Sequence, residues 1–219
     1  LASVSHIRPF IQKWEGGLSR ALADNASAYP APWPYKGVTG WHTNKGVTYK
    51  TFVSLAPKLK YAVTPDNFFI MPDYIWDAIF KVGYWDPWNL DNVKSQAIAD
   101  FIANASWGSG LSGSFNTIKK YLASKGFQVS TKEQAVTTLN KLSLLNETQI
   151  FEELIKWRNA FFATLADFSV YGKGWLNRSE ALKQFGLETI AKKKIKLIIG
   201  GVLIIVIVGA VFYYYKNFK

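Results

Sequence analysis

The 219-residue chain has no cysteine, two histidines and one methionine. Without thiols it has no disulfides, no thiolate-ligated zinc or iron–sulfur centre and no cysteine nucleophile. His6 and His42 are too few for a histidine-rich metal site, so neither a metal nor an organic cofactor is expected. Acidic residues are missing from one end: residues 190–219 hold six Lys and no Asp or Glu, and all 15 acids precede them. The net charge of +11 suits either plain solubility or attraction to a polyanion such as nucleic acid, cell-wall polymer or anionic lipid. Arginine-rich recognition helices, zinc-finger spacings and RNP-type motifs are absent, so nucleic acid is not the expected partner. Aromatic residues are plentiful, at 16% within a 49% hydrophobic composition, enough for a packed core and against wholesale disorder.

Residues 197–215 form a 19-residue run without a charge, ending in Tyr213, Tyr214 and Tyr215. At 1.5 Å per residue such a helix spans nearly the whole hydrocarbon core, and the tyrosines fall where an interfacial belt belongs. The sequence therefore predicts a transmembrane helix over 195–216, with the bilayer as a partner and a single-pass location in a host inner membrane or virion membrane. A buried core helix is the bland alternative. Four Lys before the run outweigh two after it, which places the main domain on the cytoplasmic side by charge bias.

The rest reads as mainly helical. Ile7, Phe10, Ile11 and Trp14 share one helical face, with Ser5 as cap and Gly16-Gly17 as stop. Residues 18–48, rich in Pro and Gly, read as irregular with room for one or two short strands. Helices are predicted from near Tyr49 to a stop before Pro57, over Pro72–Lys81 and over Asn92–Ser106. A glycine-rich turn at 108–113 precedes helix over Phe115–Ala123. Further helices cover Ala135–Leu142, behind a Ser130/Glu133 capping box, and Glu147–Asp167, behind Asn146 and Gln149.

Glu15 ends an apolar helix face beside Trp14 and precedes two residues without side chains. Desolvation of a carboxyl group favours its neutral form, which suits a general acid, and the glycines allow a substrate close approach. A helix-end glutamate in a salt bridge is the plain alternative. Glycosidases commonly use two carboxyl groups. Asp24, in the loop, is the better-placed second candidate, whereas Asp66, Asp73, Asp77, Asp86, Asp91 and Asp100 read as helix-start or surface residues. Thr43, Asn44 and Thr48 are of the type that orients water or sugar hydroxyls, and equally of the type that builds turns. Trp33, Tyr35, Trp41 and Trp107 lie in loop-like sequence and suit stacking on pyranose rings. Trp76, Trp157 and Trp175 read as core.

The string Trp14-Glu15-Gly16-Gly17, followed by Thr43-Asn44-Lys45-Gly46-Val47-Thr48, resembles the N-acetylmuramidases of phage endolysins and bacterial homologues, glycoside hydrolase family 108. Tyr84-Trp85-Asp86, Ala97-Ile98-Ala99-Asp100, Trp107-Gly108-Ser109-Gly110 and Lys173-Gly174-Trp175-Leu176-Asn177-Arg178 are similar to the family's companion peptidoglycan region. The resemblance implies a mainly α, lysozyme-like single domain. In it, residues 1–85 form the catalytic part and 86–190 a helical, peptidoglycan-contacting companion part, followed here by the predicted 195–216 span. It also implies cleavage between N-acetylmuramic acid and N-acetylglucosamine in peptidoglycan, with Glu15 as catalytic acid. Asp24 and Thr48 are then the further catalytic candidates, and Trp41, His42, Thr43, Asn44 and Trp107 the candidate substrate contacts. Two departures from the family pattern stand out: Leu18 replaces a tyrosine, and Ala31-Pro32-Trp33-Pro34 with Gly40-Trp41-His42 stands where an Asp-Pro-Gly-Gly loop is usual. The expected role is a membrane-anchored muramidase for phage-type lysis or infection. A lytic transglycosylase and a non-catalytic peptidoglycan-binding membrane protein are the alternatives.

Overall fold

The computed structural model describes the backbone of residues 1–217 and the side chains of residues 1–196. Helix α1 (Val4–Trp14) buries Ile7, Phe10 and Ile11, the face its spacing predicts. Its N-cap is Ser3 rather than Ser5. Glu15, in extended conformation (φ −91°, ψ 131°), breaks the helix itself. Gly16 and Gly17 are not in the left-handed region, and a Cβ on either would meet nothing within 4 Å. Their contribution is open space next to Glu15.

The irregular stretch contains one hairpin, β1 (Thr43–Asn44) and β2 (Val47–Thr48), paired antiparallel. Lys45 and Gly46 turn it with φ of 47° and 76°, the two left-handed residues of a type I′ turn. Helices α2 (Tyr49–Leu55), α3 (Pro65–Phe69) and α4 (Asp73–Phe80) follow, and α4 runs into a five-residue π-turn, Lys81–Trp85. Three long helices complete the chain: α5 (Gln96–Ser124), α6 (Lys132–Phe162) and α7 (Phe168–Asn217). The expected break near residues 108–113 is a kink within α5, confined to Gly110 (φ 70°, ψ 170°). The break before Glu147 is likewise a kink within α6, at Asn146, whose Oδ1 accepts from the Gln149 amide at 3.1 Å. The capping pair of α6 lies one residue on from the predicted one. Thr131 accepts from the Gln134 amide, and Gln134 Oε1 accepts from the Ser130 amide.

Helix α5 is central. From Ala97 to Ser106 it is buried on every side, with α1, α6 and α7 packed against it. Alanines at 97, 99, 103 and 105 let those neighbours approach. One hydrophobic cluster runs from Ala2 to Ile190. Asp100, expected at the surface, is fully buried: His6 Nδ1 lies 2.7 Å from Oδ2, and Gln96 Nε2 donates to Oδ1 at 2.8 Å. Burial pushes its carboxyl upward from the usual aspartate range, and the contacts to His6 and Gln96 oppose that shift. The group ties α1 to α5.

Packing of α7 on α6 depends on Gly186. A Cβ there would lie 2.2 Å from Phe151 Cζ, and Phe151 is itself fully buried. Gly186→Ala is expected to destabilise the protein by about 1–3 kcal/mol through overpacking, despite alanine's better helix propensity. A urea melt checks the sign: stabilisation would mean that Phe151 yields freely.

The predicted transmembrane helix requires correction, and with it the single-pass membrane location and the bilayer as partner. Among the described residues no helix is long and apolar enough to cross a membrane. The described part of α7 is amphipathic. It carries Lys173, Arg178, Glu180, Lys183 and Glu188 while burying Leu182 and Ile190 against the protein core. The side chains of 197–216, on which the expectation rested, lie outside the described residues.

Candidate active site

The site forms where the end of α1 meets the hairpin, α5 and α7. Glu15 Oε1 accepts two hydrogen bonds, from Trp107 Nε1 at 2.7 Å and from Arg178 Nη1 at 2.6 Å. Its side chain and that of Arg178 are 16% and 18% exposed, so the ion pair is partly desolvated yet reachable. Charge-assisted bonds of this length are the stronger kind and fix orientation. Oε2 has no hydrogen-bond partner among the described residues. It faces Gly46, where a Cβ would lie 2.5 Å from Oε2 and 2.6 Å from Trp107 Cζ2. Only a glycine accommodates both the left-handed turn and that approach.

Each holder is itself held. Trp107 packs within aromatic-centroid distances of 5.5 Å from Trp76, 5.4 Å from Phe80 and 4.9 Å from Tyr84. The π-turn carries Tyr84 into this cluster. Burial raises the Tyr84 phenol pKa, a hydrogen bond to Thr51 opposes the rise, and the Glu15 charge adds to it. Arg178 is braced by Asn104, whose Oδ1 accepts from Nε at 3.3 Å and from Nη2 at 2.9 Å. The hairpin tip is pinned through the Lys45 carbonyl, which accepts from Trp76 Nε1 at 3.0 Å, and through Lys45 Nζ, which donates to the Met71 carbonyl at 2.8 Å.

The remaining sequence candidates divide into scaffold and surface. Asn44 is buried and donates to the Phe68 and Phe69 carbonyls at 2.7 and 2.9 Å, fastening the hairpin to α3. His42 is fully buried, with Nδ1 2.9 Å from Thr43 Oγ1 and Nε2 3.2 Å from the Ala21 carbonyl. Neither side chain is placed to touch a substrate in this arrangement. Thr43 pairs through its backbone with both Ser19 and Thr48. Thr48 caps α2, accepting from the Thr51 amide at 3.1 Å and donating to Thr51 Oγ1 at 3.0 Å. Trp41 is partly exposed and donates to the Val38 carbonyl, with the Arg20 guanidinium 5.6 Å from its ring centroid. Asp24 is exposed. Its Oδ1 accepts from the Ala26 amide at 2.9 Å, capping a short 3₁₀ turn over Asn25–Ala28. Trp107 serves Glu15 directly instead of standing alone in a loop. Sequence reasoning missed Arg178, Asn104 and the steric role of Gly46. A partly buried carboxylate needs a cation nearby, and Arg178 in the Gly-Trp-Leu-Asn-Arg string was the available signal.

A partly buried carboxylate, fixed by an indole and a guanidinium at the end of a helix beside a glycine-turned hairpin, defines a lysozyme-like site on a mainly helical domain. Residues 8–110 match the family model described as Glycosyl hydrolase 108, a span that contains Glu15, Asp24, Gly46 and Trp107. The chain is a glycoside hydrolase of the N-acetylmuramidase type, a lysozyme-like enzyme acting on peptidoglycan. Among solved structures, that of SagA from Brucella abortus is similar in fold, with TM-score 0.61 and 19% identity, over 85% of this chain and 94% of that one. No curated protein sequence matches the chain.

Proposed function

We propose that the enzyme hydrolyses the glycosidic bond between N-acetylmuramic acid and N-acetylglucosamine, with Glu15 as the proton donor. The carrying observation is the asymmetry of its carboxyl group: both donors hold Oε1, which leaves Oε2 to carry the proton. Gly16 and Gly17 provide the open side from which a sugar strand reaches it. As the C–O bond lengthens, the Oε2 proton passes to the departing oxygen and the resulting carboxylate is stabilised by Arg178 and Trp107. The adjacent sugar gains oxocarbenium character in that step.

Asp24 is the proposed second group. Its Oδ1 is spent on the Ala26 amide, which fixes the carboxylate and leaves Oδ2 to hold the attacking water. Thr48 fixes the hairpin strand opposite Thr43 and thereby the position of Gly46 against Glu15. Its part in the reaction is one of positioning. Trp41 is the proposed sugar platform of the loop, because its ring is partly exposed while its N–H is satisfied internally.

The test is product analysis. Purified peptidoglycan is digested with the full chain, reduced with borohydride and examined by mass spectrometry. Muropeptides with reduced muramic acid ends are the expected products. Anhydro-muramic ends would reassign the enzyme as a lytic transglycosylase, in which the muramic acid's own hydroxyl replaces water and Asp24 has no part. Reduced glucosamine ends would place the cut at the other bond of the repeat.

A further inference from the structure

Arg158, on α6, takes no part in holding Glu15, yet it is only 4% exposed. Among the described residues its Nε and Nη1 have no hydrogen-bond partner, and Nη2 reaches only the Asn104 carbonyl at 3.4 Å. Its guanidinium carbon lies 5.0 Å from the Phe162 ring centroid. Burial and the adjacent Arg178 charge push its pKa down to about 9, still above neutrality, so the group is a cation at pH 7. A buried cation beside a second cation, with donors unspent, is unfavourable unless an anion joins them.

Room for that anion is present. A cavity of about 170 Å³ is lined by Gly108, Ser109, Arg158, Phe162, Trp175 and Arg178 among others, and none of the described residues in its wall is acidic. Gly108 lies against Arg158: a Cβ there would sit 3.4 Å from Nη2, at van der Waals contact. Phe162 and Trp175 give the cavity an apolar side, and such surroundings strengthen charge pairing relative to bulk water. Arg178 forms one wall of the cavity and, through Nη1, touches Glu15. Arg158 and Arg178 both lie outside residues 8–110.

We propose that this cavity is a carboxylate subsite, in which Arg158, with Arg178 beside it, receives a carboxylate of the peptidoglycan strand next to the bond being cut. The inference rests on the muramidase reading above. Two groups of the strand carry the required chemistry: the lactyl carboxylate of a peptide-free muramic acid and the carboxylates of the stem peptide. A planar guanidinium pairs with either through a two-pronged bond.

Two measurements test it. In the first, wild type, Arg158→Gln and the cavity-filling Ser109→Phe digest native peptidoglycan and the same material amidated with carbodiimide and ammonia. Amidation is expected to lower the wild-type kcat/KM about tenfold or more, from the loss of charge-assisted bonds. Both variants are expected to be slower on native material and indifferent to amidation. Equal sensitivity in all three proteins would overturn the subsite and point to general surface charge.

The second measurement needs neither turnover nor a variant. The Arg158 Nε–H resonance of ¹⁵N-labelled wild-type chain is followed while N-acetylmuramic acid, its methyl ester or N-acetylmuramoyl-L-alanyl-D-glutamate is added. A shift with the free acid but not the ester assigns the lactyl carboxylate. A shift with the muramoyl peptide alone assigns the stem. The absence of a shift with either acid, or an equal shift with the ester, overturns the subsite even if peptidoglycan is cleaved. A specific shift without cleavage would instead remove the muramidase reading and keep the anion site.

Discussion

Glu15→Gln is expected to slow peptidoglycan cleavage by about 10²–10⁴-fold, the usual worth of a positioned general acid. The amide oxygen of glutamine still accepts from Trp107 Nε1 and Arg178 Nη1, the two bonds that hold the native carboxylate. The melting temperature is therefore expected to stay close to wild type, and substrate binding to be retained. Turnover assays on soluble muropeptide chains, paired with thermal melts, check both halves. A fall of less than tenfold with an intact fold would assign the proton transfer to another group. A large fall accompanied by unfolding would make Glu15 a structural anchor instead.

The second large effect is expected from Gly46→Ala. The new Cβ would enter the space of Glu15 Oε2 and Trp107 Cζ2, 2.5 and 2.6 Å away, at a backbone φ of +76°. Displacing the carboxyl group by about an ångström costs on the order of 10²-fold in rate, and the strained conformation adds about 1–3 kcal/mol of destabilisation. Gly37→Ala is the matching control. Gly37 has the same φ of +76°, but a Cβ there meets nothing within 4 Å. The two variants share the backbone strain and differ in the contact with Glu15. Comparable stability losses with an activity loss confined to position 46 is the expected pattern. Equal activity losses would show that backbone strain alone disables the enzyme.

The helices were largely legible because their signals are local. The face of α1 follows from its apolar spacing, and the break at Asn146 from a side chain that caps its own chain three residues on. The glycines at 108–113 predict an interruption, but its extent is not legible in the sequence. A single residue absorbs the kink, and helix resumes directly on its other side. The Pro- and Gly-rich stretch leaves room for one or two short strands, but strands of two residues have no period that would place the hairpin at 43–48. Asp100 misled for a different reason. Its burial depends on His6, 94 residues away, and no local pattern records such a partner. The site follows the same division. Glu15 announces itself beside Trp14 and two glycines, whereas Arg178 is 163 residues distant and becomes meaningful only once α7 is docked. His42 and Asn44 illustrate the converse. Polar residues in a loop suggest ligand contact, yet here the Asn44 amide donates to the Phe68 and Phe69 carbonyls at the end of α3, and the His42 ring sits between Thr43 Oγ1 and the Ala21 carbonyl.

The pairing of Glu15 with Arg178 has a consequence during synthesis. A ribosome releases the N-terminal segment first, so the acid, the hairpin and Trp107 all emerge before the guanidinium has been made. Until α7 reaches the rest of the chain, the carboxyl group has the indole alone to orient it and lacks its stabilising cation. A chain interrupted before α7 therefore contains Glu15, Gly46 and Trp107 without the guanidinium that holds the carboxyl group in the folded protein.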